Sequence, residues 1–269
     1  MVREDVIGAA VDSVSRVVLE ALARGDAPTA DALRMLLRGY TATGRDDFRE
    51  ALEVGLAGAL EIAAESSSES AAPWLILFAE AAEASDDERV RAAAANLASK
   101  ARMVWGATRS LIRSAASVDA CLRAKLELRG AVDELERLIG AAYEPGDGVG
   151  ASLEDEMSVA GALLTGFLVT GRLPYAMLAE ELVQHTRRAY LGRGDLSFAA
   201  SCEAASVLAR MAALHHDDDY RAAAVISPAA SYQDDAAVIL ERLACDAPGH
   251  GLDAAAYALA AGELQSAIS

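Results

Sequence analysis

The chain is 269 residues long and carries 24 basic against 41 acidic side chains, a formal charge of −17. A field of that sign repels polyphosphate and anionic lipid, which argues against nucleic acid or a membrane surface as partner. No apolar run approaches the roughly eighteen residues of a membrane span, and the length suits one domain over residues 1–269 around one core.

The first 26 residues repeat Ile7, Val11, Val14, Val18 and Leu22 at helical spacing, with Asp5, Asp12, Arg16 and Glu20 behind them. Acids in the first turn mark this stretch as an amphipathic helix rather than a secretion signal. A loop with Pro28 follows, then Leu33, Leu36, Leu37 and Tyr40. After TGRDDF (43–48) come Phe48, Leu52, Leu56, Ala59 and Ala63. Further on, Tyr175, Leu178 and Leu182 oppose Glu180, Gln184 and Arg187. No convincing period-two strand occurs and β-branched residues are sparse, so the fold class is all-α. All six prolines fall between the stripes, as the missing N–H requires.

Two kinds of connection alternate. The long ones are RGDAPTA (24–30), SSSESAAP (66–73), the region 105–110, EPGDGVGAS (144–152), LGRGDLS (191–197) and SPAAS (227–231). The short ones are TGRDDF, ASDDER (84–89), LRGAVDE (128–134), TGRLPY (170–175) and HHDDDY (215–220). Anchored on Gly44, Ser85, Gly130, Gly171 and His216, the short turns stand 41, 45, 41 and 45 residues apart. A period near 43 holding two helices predicts stacked helical hairpins. A sixth turn, APGHG (247–251), closes a shorter last unit, so about six hairpins follow the first helix.

HHDDDY joins residue types that bind metals, but its place explains it more simply. Histidine at a helix end and aspartate at a helix start each face a favourable dipole, and Asp217 or Asp218 can cap the next helix. The expectation is a capped corner and no metal. Asp46-Asp47-x-x-Glu50 fits a pattern that holds magnesium for diphosphates. That chemistry also needs a second metal-binding helix, basic residues and an aromatic-lined cavity, and aromatics are only 5 % here. GDGVGASLEDE (146–156) contains Gly-x-Gly-x-Gly. It follows a helix rather than a strand and lies beside Glu144, Asp147, Glu154, Asp155 and Glu156, so it reads as a solvated loop. His185 lies among polar helix residues and His250 in a turn, which leaves no Ser-His-Asp arrangement. Cys121, Cys202 and Cys245 are far apart and form no Cys-x-x-Cys. An odd count without a framework suits a reducing cytoplasm.

LLRGYTATGRDDFREAL (36–52), LLTGFLVTGRLPYAMLAEEL (163–182) and SVLARMAALHHDDDYRAAA (206–224) resemble the six-hairpin (α/α) toroid superfamily, which includes N-acylglucosamine 2-epimerases and several glycoside hydrolases and lyases. The nearest likeness is to the helical C-terminal half of the spermatogenesis-associated, thioredoxin-domain-containing proteins. SLEDEMSVAGALLTGF (152–167) resembles their Leu-Glu-Asp helix start, and SFAASCEAASVLARMAAL (197–214) their Pro-Ser-Gly-Asn-Ser helix. Ser201 stands where that family carries asparagine, and Ala200 where it carries glycine. The resemblance implies a toroid, with the long connections forming the wider mouth of a central funnel.

Ligand contacts are then expected at that mouth, from Trp74, Trp105, Arg109, Glu154, Asp155, Asp195 and Asp234. The first functional expectation is a non-catalytic scaffold, without cofactor, that binds a protein or small ligand in its concave face. The alternative is a carbohydrate-active enzyme of hydrolase or epimerase type, with Asp155 and Asp195 or Asp234 as acid and base.

Overall fold

The computed structural model describes residues 3–107, 110–144, 148–149, 152–189, 196–223 and 231–268, with backbone alone at 3, 4, 219 and 223. The described residues form α1 (Arg3–Ala23), α2 (Ala30–Thr43), α3 (Asp46–Glu65), α4 (Ala71–Ala84), α5 (Glu88–Arg102), α6 (Leu111–Arg123) and α7 (Leu128–Ala142). They continue with α8 (Leu153–Thr170), α9 (Leu173–Ala189), α10 (Phe198–His215), α11 (Asp218–Ala223), α12 (Tyr232–Leu243) and α13 (Ala255–Ile268). No strand occurs among them, so the fold class is all-α. No helix among the described residues is long and apolar enough to cross a membrane.

Local chemistry sets the boundaries. The side chains of Thr29, Asp87, Ser110, Ser152 and Ser197 accept backbone N–H groups at the starts of α2, α5, α6, α8 and α10. Gly44 and Gly171 end α2 and α8 in the left-handed region, and their N–H groups reach the Tyr40 and Phe167 carbonyls at 2.7 Å. Pro73 and Pro174 lie inside the first turns of α4 and α9 rather than between helices. The missing N–H costs nothing there.

Six helices contact one another in sequence: α2 with α4, α4 with α6, α6 with α8, α8 with α10, α10 with α13, and α13 with α2. The circuit closes on itself. The others cover it: α3 packs on α2, α5 on α4 and α6, α7 on α6 and α8, α9 on α8, α12 on α10 and α13, and α1 on α13. One cluster of buried apolar side chains runs through both sets, from Ala10 to Ala267. Small residues let the layers close. A Cβ at Gly166 of α8 would lie 2.8 Å from Leu135 Cδ2 of α7, and one at Gly55 of α3 would lie 2.4 Å from Leu33 Cδ2 of α2.

The turn spacing differs from expectation in two places. The third short turn lies at 124–127, where Lys125 and Glu127 take positive φ, and Gly130 belongs to α7. Gly130 is small for a packing reason, since a Cβ there would stand 2.7 Å from Trp105 Cζ3. The last unit also differs. The helix after HHDDDY is described over Asp218–Ala223, and α12 takes the place on α10 that α11 was expected to hold. Tyr232 at the start of α12 packs edge-on against His215 at the end of α10, with centroids 5.0 Å apart. His250 stacks on Phe198 at the start of α10, at 3.8 Å. APGHG therefore lies beside the start of α10, and residues 231–234 beside its end, the reverse of the expected arrangement.

Candidate functional site

Helices α4, α8, α10 and α13 carry apolar residues on nearly every side, as buried helices do. A charge within such a helix must find a partner inside the protein. Glu80, Glu203, Arg210 and Glu263 are such charges whose partners come from the other circuit helices, whereas the buried Glu156 of α8 finds its partners outside the circuit.

Arg38 of α2 donates to Glu80 of α4 at 2.7 and 3.3 Å and to Glu263 of α13 at 2.8 Å. Arg34, one turn earlier, reaches Glu80 and Asp31, each at 3.1 Å. Across the circuit, Arg123 Nε donates to Asp119 at 2.7 Å. The Thr165 hydroxyl of α8 donates to the same carboxylate, and Arg210 of α10 donates to Thr165 Oγ1 at 2.7 Å. The two halves are coupled, for Glu263 acts electrostatically on both Arg123 and Arg210 although α6 and α13 are not neighbours in the circuit. Every circuit helix thus contributes to one charged ladder. The ion-paired side chains of the ladder keep between 11 and 38 % of their surface accessible, so the ladder is not sealed from solvent.

Burial works against each carboxylate of the ladder, and its arginines reverse the effect. Glu80, Asp119 and Glu263 all end below the ordinary range, Glu80 through Arg34 and Arg38, Asp119 through Arg123 and Arg210, Glu263 chiefly through Arg38. Glu203 behaves oppositely. Burial pushes its pKa up to about 7, with Asp119 and Glu154 adding to this, although Ser158 donates a hydrogen bond to it at 2.8 Å.

That shift has a signed consequence. The folded chain holds the Glu203 proton to about pH 7, whereas the unfolded chain releases it near 4.5. Stability therefore falls as pH rises through that window, by about 2–3 kcal/mol at the usual 1.4 per unit after allowance for partial solvent access. Glu203→Gln should remove this slope. Unfolding curves of both proteins from acid to alkaline pH should converge at low pH, with the variant more stable above neutrality. Parallel curves would count against it.

Two further buried networks lie outside the circuit interior. The fully buried Glu180 of α9 accepts the Tyr232 hydroxyl at 2.8 Å and the Tyr220 hydroxyl at 3.0 Å, and pairs with His215 Nε2 at 2.9 Å. HHDDDY is thus only partly a capped corner. Asp217 caps α11 through the Tyr220 N–H at 3.0 Å, whereas His215 turns inward to an acid. His185 likewise faces the buried Glu156 at 3.4 Å instead of standing among polar residues. Glu156 also accepts the Val149 N–H at 3.1 Å. Gly148 is required beside it, because φ is +81° and a Cβ would stand 2.0 Å from Glu156 Oε1. Gly148→Ala should cost more than about 1 kcal/mol in urea unfolding; an unchanged midpoint would refute this contact.

The sequence-predicted residues are mostly used locally. Trp105 is partly buried and donates to Ser117 Oγ at 2.9 Å, and Trp74 packs against the core. Asp155 belongs to the start of α8, where its N–H and carboxylate both bond Ser152 Oγ, at 3.1 and 2.9 Å. Asp234, in the first turn of α12, accepts the Ser231 hydroxyl. Glu154 accepts from Ser197 at 3.3 Å and lies within electrostatic reach of Glu203. Arg109 and Asp195 lie outside the described residues. The acids of DDFRE form exposed ion pairs, Asp47 with Arg45 at 2.6 Å and Asp46 with Arg49 at 3.5 Å.

Comparison with protein-family models, with curated proteins and with solved structures finds no match to this chain.

Proposed function

We propose that the chain is a single-domain (α/α) toroid of the six-hairpin kind, acting as a non-catalytic module that takes up a small ligand along its axis. The observation that carries this reading is the ladder of Arg34, Arg38, Glu80, Asp119, Arg123, Arg210 and Glu263, which spans the circuit helices and retains solvent access. Folding for its own sake is better served by apolar contacts, since isosteric apolar replacement of buried ion pairs is often neutral or stabilising. An accessible polar interior instead suits recognition of a polar molecule. The closed circuit of contacts supports the toroid, and the continuous apolar cluster supports one domain. Three unpaired cysteines, two of them buried, suit the cytoplasm.

The test is native mass spectrometry of the chain purified from its own source under non-denaturing conditions. A small-molecule adduct released on unfolding is expected. A chain that carries none, and gains none from a small-molecule extract of the same cells, would overturn the reading.

A carbohydrate-active enzyme remains the second reading, favoured by one observation. Glu203 holds a proton to about pH 7 while the nearby Asp119 is ionised, and a protonated and an ionised carboxyl group are what acid–base catalysis uses. Hydrolysis of a glycoside panel, abolished in Glu203→Gln, would select it.

A further inference from the structure

Charge balances on one side of the ladder and not on the other. Around α2, α4 and α13, Arg34 and Arg38 meet Glu80 and Glu263, and Arg38 donates to both carboxylates. Around α6, α8 and α10, Asp119 is the carboxylate in direct contact with this pair of arginines, Arg123 and Arg210, and Glu263 acts on both of them only from across the circuit. Arg123 spends its Nε on the Asp119 carboxylate at 2.7 Å, and its two terminal amino groups make no hydrogen bond to a described residue. Arg210 reaches only a hydroxyl, Thr165 Oγ1 at 2.7 Å, and none of the described carboxylates lies within 4.0 Å of its guanidinium.

The remaining acid nearby does not supply the missing charge, because Glu203 holds its proton to about pH 7 and bonds Ser158 instead. The lack of a carboxylate in direct contact shows in Arg210 itself, where Asp119 and Glu263 act only from a distance. Burial, and then the like charge of Arg123, bring its pKa down to about 10, whereas Arg38 between its two acids is raised. Arg210 Nη1 lies over Gly161 of α8, where an added Cβ would make ordinary van der Waals contact with Nη1 at 3.6 Å and with Val207 Cγ2 at 3.5 Å. Water reaches this half of the ladder, since Arg123, the last residue of α6, is 25 % exposed and Asp119 15 %.

We propose that Arg210, Arg123 and Thr165 form a subsite for a small oxyanion, the carboxylate or phosphate group of the ligand. Two guanidinium forks supply donors in the geometry that carboxylate and phosphate oxygens accept. The hydroxyl of Thr165 is already committed to Asp119, so Thr165 orients Arg210 and the arginines carry the binding. The inference rests on the axial-binding reading above and deepens it. The two can fail separately: a neutral or cationic adduct in the native protein would keep axial binding and overturn the oxyanion.

The test uses the full chain with two probes, inorganic phosphate and acetate, against sodium chloride at equal ionic strength. Thermal melting should rise saturably with at least one probe, and which one responds identifies the oxyanion. Arg210→Met should melt no lower than the parent without probe, because it removes a half-buried charge that has no carboxylate in direct contact. It should also weaken the probe by about tenfold or more. No saturable rise with either probe, or a rise that survives in Arg210→Met, overturns the proposal. If Arg210→Met does not fold, the side-chain Nε–H resonance of Arg210 in the labelled parent decides. It should shift on titration with the responding probe and not with chloride, and an unmoved resonance is fatal.

Discussion

Glu180→Met is expected to cost about 3–5 kcal/mol, the largest loss of any single substitution considered for this chain. The Glu180 carboxylate is fully buried and collects three donors, His215 Nε2 and the Tyr220 and Tyr232 hydroxyls, at 2.8 to 3.0 Å. Gln184 donates to the same Tyr232 hydroxyl at 2.7 Å. Through this acid α9 is tied to α10, α11 and α12 at once. Methionine fills the volume but accepts almost nothing, so two hydroxyls and an imidazole lose their acceptor within the protein, each at about 1–3 kcal/mol before relaxation. Glu180→Gln keeps one acceptor oxygen and should lose less. Urea unfolding with an unchanged slope and a lowered midpoint is the expected result. A midpoint shift below that of Gly148→Ala would show that the network is dispensable.

The same acid sets a pH dependence. Burial alone would raise its proton affinity, but His215, Tyr232 and Tyr220 hold it below the ordinary carboxylate range. A depressed folded pKa adds stability above that range, which is lost as pH falls through the folded value. The acid limb of the stability curve should therefore flatten in Glu180→Gln. Glu203 acts in the opposite direction and at higher pH, so the two contributions can be separated.

Glu80→Met should cost about 2–3 kcal/mol, less than a fully buried ion pair because the ladder is partly accessible. Its loss leaves Arg34 with only Asp31 and Arg38 with only Glu263. The more telling measurement is a cycle. Replacing Arg38, Glu80 and Glu263 together with apolar residues should recover much of the loss, because the remaining cost of Glu80→Met is an uncompensated charge rather than a missing contact. Strictly additive losses would mean that the three side chains do not act as a unit.

Where sequence and structure diverge, the reason lies in particular residues. TGRDDF and TGRLPY were legible as turns because Gly44 and Gly171 adopt a backbone conformation that glycine favours. LRGAVDE was misplaced because Gly130 serves Trp105 packing instead, and the turn falls on the unusual left-handed pair Lys125 and Glu127. The ladder left a signal that the conspicuous acidic turns overshadowed. Glu263 is the only charge in α13, and Arg210 interrupts a long apolar run in α10. A lone charge in a helix that is apolar all round points inward.

By itself the sequence determined the helices, their number within one or two, most of their ends and the alternation of long and short connections. Those features depend on contacts within a few residues along the chain: caps, prolines, glycine conformations and the 3.6-residue period. Only the tertiary structure decided which acid meets which base. Arg38 reaches Glu263 across 225 positions and Tyr232 reaches Glu180 across 52. Periodicity says which face of a helix is buried. What an inward charge finds there depends on which helices close the circuit and on how far each is rotated and shifted against the next, and those are fixed by side-chain packing between elements distant in sequence.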